Sequence, residues 1–233
     1  MIGKIHSFQS LGTLDGPGVR FVIFMHGCNL KCGYCHNIDV CRGEYNEYTP
    51  YDVIQKILRY KDYFGESGGV TVSGGEPLLQ AEFVEELFKL CKKHNIHTAL
   101  DTSGSIWNKA VERVLSLTDL VLLDIKMTDD EDYRRFIGCG IDVPINFLNF
   151  LDNRKIDCWI RHVVVGGLND TEDKANKLKQ IIEGKNCVKR IEILPFRKVC
   201  SQKYTDMNIP FPFSKFNEPE QDKIKLFESI LSI

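Results

Sequence analysis

Apolar runs recur along the chain, and between them the apolar positions shift to a helical period. The runs are VRFVIFMH (19–26), GVTVS (69–73), IHTALD (96–101), DLVLLDIK (119–126), DCWIRHVVV (157–165) and VKRIEILP (188–195). Near-continuous apolar stretches of this length predict parallel strands buried on both faces. Between them, TPYDVIQKILRYKDYF (49–64), LLQAEFVEELFKLCKKHN (78–95), NKAVERVLSL (108–117), INFLNFLDN (145–153) and DTEDKANKLKQIIEG (170–184) read as amphipathic helices, and EPEQDKIKLFESILSI (218–233) closes the chain. Thr49 is a natural N-cap, with Pro50 at the first helical position. Six β-α units predict an α/β fold with parallel strands. A complete eight-unit barrel needs about 250 residues, so the expectation is a partial (β/α)6 open barrel. No repeat or linker interrupts it; the expected unit is a single domain over 1–233, with its core at about 18–200 and a C-terminal helix at about 218–232.

In such a fold the functional residues sit at the carboxyl ends of the strands. Three cysteines follow the first strand, SGGEP (73–77) the second and DTSG (101–104) the third; Asp124 and Lys126 end the fourth, Arg161 lies in the fifth, and Pro195, Phe196 and Arg197 follow the sixth. Every polar cluster therefore falls where the architecture puts a site.

Composition narrows the class. With 43% hydrophobic and 27% charged residues the chain has an ordinary globular balance, and a net charge of −2 gives no general attraction to nucleic acid or an anionic membrane. No apolar run can span a bilayer and the N-terminus lacks a signal-peptide core, so a cytoplasmic location is expected. No long apolar surface stripe stands out, and a monomer is the expected state. Nine cysteines lie at 28, 32, 35, 41, 91, 139, 158, 187 and 200, of which only the first three cluster. Without export, clustered thiols point to metal rather than disulfides, and the others read mostly as small buried apolar residues.

The Cys28-x3-Cys32-x2-Cys35 loop suits zinc or an iron–sulfur cluster. Zinc would need a fourth ligand from His26, His36 or Cys41, whereas an iron–sulfur cubane on three cysteines leaves one iron open to a substrate. The glycines of SGGEP let backbone groups approach a ligand closely, although most such pairs are only turns. Asp124 and Lys126 share one face of their strand; they pair with each other or meet a ligand. Asp101 and Thr102 offer a carboxylate and a hydroxyl. Arg161 is a cation in an apolar strand and should face a polar cavity or bind an anion.

The cysteine spacing, with Tyr34 before the last cysteine and a following GGE, resembles the radical S-adenosylmethionine (SAM) superfamily. Together with IHSFQSLGTLDGPGVRFVIF, YCHN, VTVSGGEPLLQAEFV, LDTSG, TDLVLLDIK, WIRHVVVGG and IEILPF, it resembles, within that superfamily, the activating enzymes of glycyl radical enzymes. The likeness runs in order from about residue 3 to 200 and is loose beyond. It implies one [4Fe–4S] cluster on Cys28, Cys32 and Cys35, whose open iron chelates SAM. Reductive cleavage then gives methionine and a 5′-deoxyadenosyl radical, which takes hydrogen from a glycine of the partner enzyme. The resemblance further implies that Gly74, Gly75 and Glu76 hold the methionine amino group, and that Tyr34, Cys35 and His36 lie against the adenine. Asp124, Ile125 and Lys126 would line the methionine and ribose, with Arg161 supporting the carboxylate end. Asp101 and Thr102 match positions that hold a monovalent cation. The loop of Asp15, Gly16, Pro17, Gly18 and Arg20 would close on the partner. The implied partner is pyruvate formate-lyase, at its glycyl radical domain, with flavodoxin or a similar low-potential electron donor.

Two departures stand out. Arg197 occupies a position where the compared relatives carry a cofactor-contacting histidine, and it is kept as a candidate cofactor residue. Between Asn37 and Thr49 there is only Cys41, too little for the auxiliary clusters of some relatives, which favours pyruvate formate-lyase as partner. A different glycyl radical partner would leave the cofactor residues unchanged. A non-catalytic zinc or electron-transfer protein would instead show a complete four-ligand site and no nucleoside pocket.

Overall fold

The computed structural model describes residues 1–232. The elements run in the order β1 (Gly3–Gly12), β2 (Arg20–Met25), α1 (Ile38–Arg42), β3 (Asn46–Tyr48), α2 (Pro50–Leu58), β4 (Gly69–Gly74), α3 (Ala81–Lys93), β5 (His97–Thr102), α4 (Lys109–Leu115), β6 (Leu120–Asp124), α5 (Asp130–Phe136), α6 (Asp142–Arg154), β7 (Cys158–Val164), α7 (Glu172–Ile182), β8 (Val188–Pro195), α8 (Ser201–Asp206) and α9 (Gln221–Leu231). The hydrogen-bonded strand order is β3-β1-β2-β4-β5-β6-β7-β8, with β3 and β8 at the ends of an open sheet. All six expected strands are present, and the pairs β2–β4, β4–β5 and β7–β8 are parallel. The expected open, mostly parallel α/β sheet is what the chain forms.

Two strands were not foreseen. β1 pairs antiparallel with both β2 and β3, and its register slips between Ile5 and Ser7 and again between Gln9 and Gly12. Those slips break the apolar alternation a sequence pattern needs, and β3 is only three residues long.

By contact the chain gathers into two compact units. The first comprises Met1–Asn29, Asn37–Thr102 and Ile106–Leu122; the second comprises Leu30–His36, Ser103–Ser105 and the chain from Leu123 onward. In the first unit, Thr49 caps α2 with a capping box: its hydroxyl accepts from the Asp52 amide at 3.2 Å, and its own amide donates to the Asp52 carboxylate at 3.0 Å. α3 buries Phe83, Val84, Leu87, Phe88 and Cys91, and Gly3 passes so close to the Phe83 ring that no side chain fits there. In the second unit a core of Tyr34, Met127, Tyr133, Ile137, Val165, Phe196 and Phe213 forms. It draws Tyr34 from the cysteine loop into the interior.

Candidate functional site

In the first unit β2 delivers the chain to Gly27 and Cys28. The Gly75 amide donates to the Met25 carbonyl at 3.0 Å and the Glu76 amide to the Gly27 carbonyl at 2.8 Å, while the Asn37 side-chain amide donates to the Gly74 carbonyl at 3.3 Å. Gly74 has φ +120°, and a methyl group at Gly75 would overlap the Gly27 carbonyl oxygen. Both positions therefore require glycine, one for its conformation and the other for the close approach. Glu76 is buried; its Oε1 accepts from the Thr102 hydroxyl at 2.7 Å and the Leu78 amide at 3.1 Å. The Ser73 hydroxyl donates to Asp101 at 2.6 Å. Gly74, Gly75, Glu76, Asp101 and Thr102 thus come together at the carboxyl ends of β4 and β5, beside the backbone of Cys28.

In the second unit the Lys31 amide donates to Ile137 O and the Gly33 amide to Phe136 O, both at 2.9 Å, and the Cys35 amide closes a turn onto Cys32 O at 3.1 Å. The chain leaving β6 is held group by group. The Ile125 amide donates to Arg161 O at 3.0 Å, the Lys126 amide to the Tyr133 hydroxyl at 3.1 Å, and the Tyr34 hydroxyl to Lys126 O at 3.4 Å. Burial pushes the phenols of Tyr34 and Tyr133 up, so both keep their protons. Lys126 pairs with Asp124 at 2.6 Å. Burial works against the Lys126 charge, but Asp124, Cys32 and Tyr34 together outweigh it and hold the ammonium well above its ordinary pKa. Arg161 pairs with Glu192 at 3.0 Å across β7 and β8.

Arg197 makes separate side-chain and main-chain contacts. Its guanidinium turns to Glu218 at 2.7 Å, and its main-chain carbonyl accepts from His36 Nε2 at 2.8 Å. A main-chain contact does not depend on the side chain at position 197.

The Asp15–Arg20 loop lies at the amino end of β2, where Arg20 sits opposite Gly69; Met25 and Gly74 mark the other end of the same pair. Arg20 is fully buried. It donates to Thr71 Oγ1 at 3.0 Å, to Val70 O and to Pro17 O at 3.5 Å, and meets His97 Nδ1 at 3.2 Å. Burial pushes its pKa down to about 10. Its side chain braces this loop from beneath.

Four residues that shape the site were missed from sequence: Ser73, Tyr133, His162 and Asn169. His162 and Asn169 are fully buried. His162 also stacks on Phe227 at 5.7 Å. The argument that singled out Arg161, a polar residue inside an apolar strand, applies equally to its neighbour His162.

The cysteines divide by exposure. Cys28, Cys32, Cys35, Cys41 and Cys139 are partly exposed, whereas Cys91, Cys158, Cys187 and Cys200 are buried. Burial pushes the thiols of Cys91 to about 12 and Cys187 to about 11, and raises Cys158 and Cys200, which leaves them inert. Accessible soft thiols are the donor type that suits an iron–sulfur cluster. Among the described residues no three His, Cys, Asp or Glu side chains are gathered around a single metal position.

The chain belongs to the radical SAM superfamily, whose family model matches residues 22–178; that family implies a [4Fe–4S] cluster and SAM. Curated relatives carry a more particular name. The pyruvate formate-lyase-activating enzyme of Clostridium pasteurianum is 42% identical, over 99% of this chain and 98% of its own length. The pyruvate formate-lyase 1-activating enzyme of Escherichia coli K12 is 38% identical over 99% and 96%. Among solved structures, a domain of pyruvate-formate lyase-activating enzyme from Bacteroides vulgatus matches with a TM-score of 0.60 at 23% identity, covering 71% of this chain and 93% of that one. Streptococcus suis SuiB bound to its precursor peptide SuiA matches with a TM-score of 0.71 at 19% identity, covering 90% and 44%. These two likenesses establish the fold.

Proposed function

We propose that this chain activates pyruvate formate-lyase by converting a glycine of that enzyme into a glycyl radical. The observation that carries the reading is similarity of 36–42% along essentially the whole chain to enzymes of that name. When bound, the [4Fe–4S] cluster and SAM supply the reductive cleavage and the hydrogen abstraction. Cys28, Cys32 and Cys35 would hold the cluster through three thiolates. The Gly74–Glu76 cradle presents backbone and a buried carboxylate to the amino group. Lys126, already paired with Asp124, offers charge to the carboxylate, and Arg161 supports that end. Tyr34, Cys35 and His36 serve the adenine, and Ile125 the ribose side. Asp101 and Thr102 take a monovalent cation, and the Asp15–Gly18 loop meets the partner. A low-potential donor such as reduced flavodoxin supplies the electron, since cluster potentials reach about −700 mV. The chain works as a monomer and a single catalytic domain in the cytoplasm. Among the described residues no helix is long and apolar enough to cross a membrane.

The test is anaerobic reconstitution with iron and sulfide, followed by reduction and addition of SAM. The expected results are a cluster electron paramagnetic resonance (EPR) signal that changes on adding SAM, formation of 5′-deoxyadenosine, and a glycyl radical on added pyruvate formate-lyase. Cys32→Ala should lose colour and activity together. A colourless, zinc-binding wild type would overturn the cluster reading. Nucleoside formation without a radical on pyruvate formate-lyase, but with one on another glycyl radical enzyme, would overturn the partner.

A further inference from the structure

The chain that follows β8 is where the cysteine turn is tied down. Tyr204, on α8, is 3% exposed; its hydroxyl donates to the Cys35 carbonyl at 3.2 Å, and its ring lies 4.8 Å from Phe211. Phe213 is 1% exposed. Its ring meets the Tyr34 ring edge-on at 5.5 Å and presses on Gly33 so closely that a methyl group there would overlap it. His36 is fastened to the Arg197 carbonyl at 2.8 Å. Phe196, fully buried, lies within 6.2 Å of both Phe211 and Phe213.

Each residue from Gly33 to His36 therefore has a partner in the segment 196–213: Gly33 and Tyr34 against Phe213, Cys35 on Tyr204, and His36 on the main chain at Arg197. We propose that this segment is a latch that fixes the Cys32–Cys35 turn before the cluster arrives, with Tyr204 as its positioning residue. A short turn carrying two thiols is mobile by itself, and ordering it during assembly costs binding free energy that a preformed turn avoids. The Cys35 carbonyl is the telling contact. It is the main-chain acceptor of a ligand residue, and one buried phenol from a distant helix is aimed at it. The guanidinium of Arg197 is committed to Glu218, so this residue serves the latch through its backbone.

The inference rests on the reading of Cys28, Cys32 and Cys35 as cluster ligands, and the test keeps the two apart. Tyr204→Phe retains the ring and its packing and removes only the hydroxyl. In the metal-free full-length protein, amide hydrogen exchange at Cys35 and His36 should rise about three- to tenfold, the equivalent of one hydrogen bond. In the reconstituted protein, loss of iron to a chelator should accelerate by a similar factor, with the melting temperature close to wild type. Gln202→Ala, an exposed position on the same helix, should change neither rate. Phe213→Leu should accelerate both, and keeps the question answerable if the tyrosine variant folds poorly. Unchanged exchange and unchanged iron loss in Tyr204→Phe would overturn the latch. Faster exchange in Tyr204→Phe, together with a wild type that never takes up a cluster, would leave an ordered turn but overturn its purpose and the cluster reading with it.

Discussion

The His162 ring reaches the Ile125 carbonyl at 2.6 Å. A carbonyl can only accept, so Nδ1 carries the proton and Nε2 is left as an acceptor, which the Asn169 amide fills at 3.3 Å. Asn169 is fixed in turn, donating to Val163 O at 2.9 Å and accepting from the Val165 amide at 2.7 Å. Ile125 is thus clamped on both polar groups by β7, its amide on Arg161 O and its carbonyl on His162. That clamp aims the Asp124–Lys126 segment.

The clamp requires a neutral imidazole, and burial pushes the His162 pKa down to about 4 from an ordinary 6.5. Between those values the unfolded chain binds more protons than the folded one. The contribution is intact above about pH 6.5 and is lost as pH falls toward 4, reaching about 3 kcal/mol at the acid end. Denaturant midpoints at pH 7.5, 6 and 5 should fall more steeply for the wild type than for His162→Gln. Parallel curves would show that the ring does not titrate on unfolding.

Asp124 and Lys126 are largely buried and paired at 2.6 Å. Removing one partner leaves an uncompensated charge, so Asp124→Asn should cost about 3 kcal/mol. Adding Lys126→Met should recover much of that stability while SAM affinity stays low. A double variant that binds SAM normally would take Lys126 out of the cofactor site.

Much of this was legible in sequence because buried parallel strands write themselves as apolar runs. The six strands, and the placing of Gly74–Glu76, Asp101 and Asp124 at their carboxyl ends, followed from that pattern alone. β1 was not legible, since its bulges scramble the alternation. The roles of Arg197 and Arg20 were not legible either. The resemblance pointed Arg197 to the cofactor and Arg20 to the partner; the contacts it could not foresee are Arg197 paired with Glu218 with its carbonyl on His36, and Arg20 turned inward onto Val70, Thr71 and His97. A sequence shows which group is available, and only packing shows which way it points. Tyr204 and Phe213 contact the cysteine turn across some 170 residues of chain, a separation at which no local spacing carries a signal.

Gly75→Ala tests the cradle. The added methyl overlaps the Gly27 carbonyl oxygen, which is also the acceptor for the Glu76 amide at 2.8 Å. The strap must lift, taking Glu76 off Thr102. Cluster content should survive, because no thiol is touched, while the EPR response to SAM is lost and KM for SAM rises by about tenfold or more, the equivalent of one lost charge-assisted hydrogen bond. An alanine variant with normal KM would show that the close approach has no part in holding the cofactor.

Arg20→Lys tests whether the Asp15–Gly18 loop is braced rather than free. A side-chain hydroxyl, two main-chain carbonyls and one imidazole share the planar fork of Arg20, with the charges of Asp119 and Asp15 acting on it as well. His97 can accept because burial, reinforced by Arg20, lowers its pKa. The ammonium of lysine is a point charge and cannot span those acceptors. It would leave buried carbonyls unsatisfied and a charge poorly solvated, at a cost of about 2–4 kcal/mol. The loop should loosen with it, because Gly18 has φ +65° and is wedged against Gly68 and Ser67, while the Thr71 hydroxyl holds the Asp15 carbonyl at 2.6 Å. Limited proteolysis should therefore cut Arg20→Lys between residues 13 and 19 under conditions that leave the wild type whole. A variant that melts and resists protease as the wild type does would mean that the glycines and Thr71 hold the loop without the arginine.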